Sequence, residues 1–246
     1  MDEAVAIQRG YLRYSAFVVT AAAAAALGVL AFVADLLAGA VGQVMVALTS
    51  SGFAWGLTAF LAGRVAPDRR RAIIGAAALL LVATLLYYLL VVFVSRRWSG
   101  AYLADGTSAD TQGLVSIAIA ATLWSLGSLV AGPLLGLLGH VVRAGTVLSG
   151  AMAAGFACGL LSGDGWHDFI VTSPRRMCAD PQYADFVRGI LISELTRIVL
   201  PLAILVWLTR VHRFWRAWPA LVAATVASSG LSVLLWYGLR LATNRA

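Results

Sequence analysis

Seven apolar stretches fill most of this chain, and its charges collect between them. The candidate spans are 15–36, 49–65, 72–94, 115–141, 144–162, 189–209 and 219–241. A helix needs roughly 17–25 mostly apolar residues to cross a bilayer, and most of these stretches reach that length. Hydrocarbon offers the backbone no water, so every N–H and C=O must be satisfied within its own segment, and each span becomes a helix. Membrane β-strands would alternate apolar and polar residues over about ten positions; these runs do not. The expected fold is all-α: a polytopic transmembrane helix bundle of about seven helices, one integral membrane domain over residues 1–246. No linker and no internal repeat is visible, so an inverted-repeat transporter architecture gains no support.

Composition agrees. The chain is 61% apolar and 12% charged, with a mean hydropathy of +0.88. Soluble domains carry about twice that charge and must cover themselves with polar atoms, a demand that lipid removes. The net charge of +7 raises the question of nucleic acid. The basic residues answer it, for they are spread over short loops with no stripe that could track a phosphate backbone. All 18 are arginines; with the alanine run Ala21–Ala26 they point to a GC-rich, bacterial genome. Cys158 and Cys178 form neither a metal-spacing motif nor a disulfide framework. No nucleophile elbow, phosphate loop or zinc helix appears, so no cofactor is expected.

Orientation follows the arginines. Arg9 and Arg13 precede an apolar run, Ser15–Ala34, that is too long for a signal-peptide core, so it reads as an uncleaved first span. With the N-terminus inside, ten arginines fall on inner segments: Arg9, Arg13, Arg64, Arg69, Arg70, Arg71, Arg143, Arg210, Arg213 and Arg216. Seven fall outside: Arg96, Arg97, Arg175, Arg176, Arg188, Arg240 and Arg245. Short cytoplasmic loops favour arginine and lysine. The expected placement is a multi-pass protein of the cell membrane, with its N-terminus cytoplasmic and Cys178 outside. Residues 37–48 are apolar but too short to span; they extend helix 1, lie in the interface or re-enter. The fourth stretch is long, so Gln112–Ala118 lie along the surface or the helix tilts. Two polar outer loops are expected, 95–111 and 163–188.

Three segments carry a resemblance: LTSSGFAWGLTAFLAGR from Leu48, LWSLGSLVAGPLLGLLGHVVR from Leu123 and ISELTRIVLPLAILVWLTR from Ile192. Together they resemble an uncharacterised family of actinobacterial multi-pass membrane proteins, a domain of unknown function. In that family an Asn-Ser pair stands ahead of a Trp in the second span; here Ser50-Ser51 precede Trp55, so the Asn is missing. The family's Gly-Pro pair with following glycines is met by Gly132, Pro133, Gly136 and Gly139. Its late acidic residue and downstream proline are met by Glu194 and Pro201. An acidic residue near the end of its fifth span is replaced here by Ser162 and Gly163. The resemblance implies a multi-pass helical fold and no particular activity.

The costliest residues lie in the sixth span. Glu194 and Arg197 are three apart and share a helix face. An arginine near the bilayer centre costs roughly 2.5–3.5 kcal/mol on insertion scales. Pro201 has no N–H for the Arg197 carbonyl, so the helix is expected to kink there, as at Pro133 in the fourth span. A charge pair beside a freed carbonyl suits a polar ligand, an ion or a proton relay; the plainer reading is an internal salt bridge. Asp35 is an interfacial carboxylate at the outer end of the first span, or a third member of that site. Gly132-xxx-Gly136 and Gly155-xxx-Gly159 have the small-residue spacing that lets helices approach closely, and spans four and five are the expected pair. Asp164, His167 and Asp168 are of metal-ligand type, but they lack a second His or Cys at standard spacing; solvated loop charges are the plainer reading.

Three classes of function remain. A small-solute or ion transporter or permease is favoured, with Glu194 and Arg197 in a water-accessible cavity. A structural or regulatory membrane protein would keep those charges paired and dry and act through a partner. An enzyme acting on lipid, the least favoured, would use Asp164, His167 and Asp168. The expected partners are the lipid bilayer, a second copy of the chain or another membrane protein, and not nucleic acid.

Overall fold

A computed structural model of the protein describes residues 2–100, 102, 106–171 and 184–243. Cys178, Arg175, Arg176 and Arg245 lie outside the described residues. The described chain is a helix bundle with no strand: α1 (Asp2–Ala34), α2 (Gly39–Thr49), α3 (Gly52–Val65), α4 (Arg69–Leu90), α5 (Asp110–Ala144), α6 (Val147–Val171), α7 (Ala184–His212) and α8 (Trp218–Thr243). A π turn, Val91–Ser95, prolongs α4, and a 3-10 turn, Phe214–Ala217, leads into α8. Among the described residues, six helical stretches are long and apolar enough to cross a membrane: Val44–Val65, Arg69–Ser95, Asp110–Ala144, Val147–Val171, Ile192–His212 and Phe214–Leu241. The first expected span lies within the 33-residue α1, which includes the apolar stretch Val18–Ala34.

The structure decides the ambiguous segments. Residues 37–48 do not extend α1, for Gly39–Thr49 is a helix of its own leading directly into α3. Two serines make the break. The Ser51 hydroxyl caps α3 by accepting from the Ala54 N–H, and the Ser50 hydroxyl donates to the Ala31 carbonyl at 3.2 Å. Serine side chains compete with the helix for backbone groups, which is why they end and start helices. The long fourth stretch is one continuous helix of 35 residues, so Gln112–Ala118 do not leave it. Helix runs through both Pro133 and Pro201.

Contacts between ends fix the alternation. Arg64 at the end of α3 meets His212 at the end of α7, and Arg143 at the end of α5 donates to the carbonyls of Val65 and Ala66. Phe214, just before α8, packs on Gly150 near the start of α6. These form one arginine-rich end. Asp35, Arg97, Asp164, Asp168 and Arg240 gather at the other.

Glycine and alanine set the packing. A methyl group on Gly132 or Gly136 would strike the backbone of Ala77 or Ala72 on α4, and one on Gly139 would strike Phe60 on α3. The buried Thr84 and Ser128 hydroxyls meet at 3.0 Å where α4 crosses α5. The sequence expectation that Gly155 and Gly159 face the fourth span is not met. Gly155 lies against Leu221 and Thr225, and Gly159 against Ser228, all on α8.

Candidate functional site

The apolar run of α6 fades after Ser162, yet the helix continues to Val171. Asp164, His167 and Asp168 therefore sit inside the bundle and not on an outer loop. The reason is local. Gly163 admits Ser232 of α8, and Gly165 admits the Glu194 carbonyl and the Arg197 stem of α7. Two glycines two residues apart bring a helix to each side, and the polar residues beside them are enclosed. Asp164 and Asp168 lie one turn apart and share a face.

Both aspartates meet arginines from other helices. Arg197 Nη1 donates to Asp164 at 3.0 Å and to Asp168 at 3.4 Å. Arg240 Nη2 stands 2.6 Å from Asp168 and 3.8 Å from Asp164. His167, only 2% exposed, holds Nδ1 at 3.2 Å from Asp168 Oδ1, with its ring centroid 6.4 Å from that of Tyr237. Two carboxylates thus balance two guanidiniums across three helices. Charge-assisted bonds of this kind are about twice as strong as neutral ones, and enclosure strengthens them further. Asp164 is about 25 Å along α6 from Val147, and Arg197 about 22 Å from His212, at 1.5 Å per residue. The network therefore lies toward the end of the bundle opposite the arginine-rich end, at a separation approaching the roughly 30 Å thickness of a hydrocarbon layer.

The pairing expected within α7 is replaced. Arg197 turns to Asp164 and Asp168, while Glu194, one turn before it, is buried at 3% exposure. Arg197 Nε is buried with no hydrogen-bond partner among the described residues. Asp35 is elsewhere: its Oδ2 accepts from the Tyr87 hydroxyl at 2.5 Å, and Arg97 donates to its carbonyl at 2.8 Å. It is not a member of the Arg197 site. Asp164 and Asp168 are occupied with arginine and His167 with Asp168, and among the described residues no three His, Cys, Asp or Glu side chains converge as a metal site.

Below the network a polar seam continues between α6 and α8. The Ser232 hydroxyl donates to the Leu160 carbonyl at 3.0 Å, Ser228 to Gly155 at 3.4 Å, and the Ser162 and Ser229 hydroxyls stand 3.4 Å apart. A small apolar cavity of about 10 Å³, lined in part by Phe60, Cys158, Pro201 and Leu205, lies between α3, α6 and α7. It holds one water at most. Sequence reasoning missed Arg240, the α8 serines and Tyr87. A signal was present for α8: Thr225, Ser228, Ser232 and Arg240 recur at helical spacing along one face of an apolar helix.

At the arginine-rich end, Arg64 Nη2 meets His212 Nε2 at 2.9 Å and its guanidinium lies 5.0 Å from the Trp207 ring, while His212 stacks on Phe214 at 5.2 Å. No family model, curated protein sequence or solved structure matches the chain.

Proposed function

We propose that the chain is a multi-pass integral membrane protein of a bacterial cell membrane, N-terminus cytoplasmic, that works as a small-solute or ion permease gated by the α6–α8 ion network. One observation carries this reading: each of the two arginines reaches both aspartates. A structural lock needs one partner per charge. A network in which partners are shared exchanges them at little cost, because a cation arriving at one carboxylate frees an arginine that the other carboxylate still holds. The serine seam beneath it supplies hydroxyls along the α6–α8 contact. The ten-to-seven arginine bias supports a cytoplasmic arginine-rich end.

A second reading, a static clamp in a structural or regulatory protein, is favoured by enclosure. The side chains of Asp164, Asp168 and Arg197 are 12, 13 and 19% exposed. An enzyme acting on lipid has less support, since His167 and its aspartates lie between helices. Kinship with the actinobacterial family stays a proposal. In its favour, Asp164 follows Ser162-Gly163 directly, and α6 continues past them.

A cysteine placed in the seam tests gate against clamp. Ser232→Cys in a Cys158→Ala, Cys178→Ser background is exposed to an impermeant maleimide from the network side. Asp168→Asn removes charge-assisted bonds worth about 1.5–3 kcal/mol, so a gate should label at least about tenfold faster. Unchanged labelling with a lowered melting temperature would establish the clamp.

A further inference from the structure

An open cleft of about 350 Å³ lies at the network end, between the end of α1 and the start of α2. Its lining includes the apolar Leu37 and Val46, the charged Asp35 and Arg97, and Gly39 and Gly42. Small-molecule sites run from about 300 to 1,000 Å³, so the cleft suits a headgroup-sized occupant. A methyl group on Gly39 would meet nothing within 4 Å, so this backbone faces open space.

The backbone is distorted to put Arg97 there. After the π turn Val91–Ser95, Arg96 adopts a left-handed conformation with φ +46°. The Trp98 indole donates to the Val92 carbonyl at 3.0 Å and locks the reversal. Single π turns and left-handed non-glycine residues are costly and gather at functional sites. The reversal carries Arg97 back over α1, where Nη2 donates to the Asp35 carbonyl at 2.8 Å and the side chain stays 42% exposed. The Tyr87 hydroxyl and Arg97 Nη1 both approach Asp35 Oδ2, so Oδ1 takes no hydrogen bond from a described residue.

We propose that this cleft binds a zwitterion carrying a primary ammonium and a phosphate, with the ammonium on Asp35 Oδ1 and the phosphate on Arg97. Asp35 and Arg97 cancel, so a net-neutral ligand leaves no charge uncompensated, whereas a singly anionic one leaves one. An ammonium donates three hydrogen bonds; a trimethylammonium donates none. Leu37 and Val46 receive an alkyl portion. The chemistry is shared by an ethanolamine phospholipid and by its soluble headgroup. The site lies on α1, α2 and α4, apart from the α6–α8 network, and stands or falls independently of it.

The test is native mass spectrometry of the full chain equilibrated with equal amounts of phosphatidylethanolamine, phosphatidylcholine and phosphatidylglycerol. The wild type should retain the ethanolamine lipid roughly tenfold over either other, the value of one charge-assisted hydrogen bond. Asp35→Asn should erase the preference over choline. Arg97→Gln should lower retention of all three, and Arg97→Lys should restore part of it. Leu37→Trp, a change at an exposed position, should fill the cleft and lose the lipid without a fall in melting temperature. Soluble glycerophosphoethanolamine, titrated alone, separates the sources: binding without lipid retention assigns the cleft to a free zwitterion. Equal retention of all three lipids with no binding of the soluble headgroup overturns the proposal. So does an ethanolamine preference that survives Asp35→Asn.

Discussion

Arg197 and Arg97 both answer an aspartate at the same end of the bundle, in opposite surroundings. Arg197 is enclosed between helices and shares two carboxylates with Arg240; Arg97 hangs half-exposed beside an open cleft and holds one carboxylate loosely, at 3.5 Å. Water decides the difference. Removing one partner of an enclosed network strands a charge without solvent, whereas removing one partner of an exposed pair returns the other to water.

The largest expected effect tests that contrast directly. Arg197→Gln should cost about 3–5 kcal/mol by thermal unfolding in lipid nanodiscs, the penalty of a stranded buried charge. Replacing Asp164, Asp168, Arg197 and Arg240 together with apolar residues of similar size should recover most of it. A loss no greater than that of Arg97→Gln would break the comparison.

Next comes the packing that encloses the network. Gly159→Leu should cost about 1–3 kcal/mol or more, because the new side chain meets Ser228 and the backbone of α8. Gly75→Leu on α4, where a Cβ meets nothing within 4 Å, should leave folded yield unchanged or improve it. Equal yields of the two variants would show that the α6–α8 contact is loose.

Smaller effects belong to the cleft. Tyr87→Phe removes the 2.5 Å bond to Asp35 and should lower stability by about 0.5–1.5 kcal/mol. Arg97→Gln should be the mildest, at about 0–1 kcal/mol, since its guanidinium is already wet. A loss above that range would mean that the π turn depends on the Arg97–Asp35 contact.

The sequence made the helices legible and the pairings illegible. Spans show as runs of neighbours, and an unbroken apolar run in hydrocarbon satisfies its backbone as a helix. Arg197 stood out because it interrupts an apolar run, yet its partners lie 29 and 33 residues earlier. Glu194, one turn away, was the local choice, and nothing in the order of residues favours a distant carboxylate over a near one. Asp164, His167 and Asp168 read as loop because polarity is the usual sign of water. They remain helical because Gly163 and Gly165 bring α8 and α7 against them. The break at Ser50-Ser51 was visible as residues but not as a break, since serine ends a helix only where its hydroxyl finds a backbone group.

The two aspartates of α6 also impose an order on synthesis. As α6 leaves the ribosome, Arg197 is still 33 residues away and Arg240 further still. An aspartate costs about 2.5–3.5 kcal/mol at the centre of an inserting helix and less near its end; two of them one turn apart still give the end of α6 reason to stay among headgroups until a partner arrives. Arrival of α7 neutralises it, and α8 closes the other side. The last three helices are therefore expected to settle in the bilayer together, and a chain that stops between α6 and α8 to leave the end of α6 unneutralised.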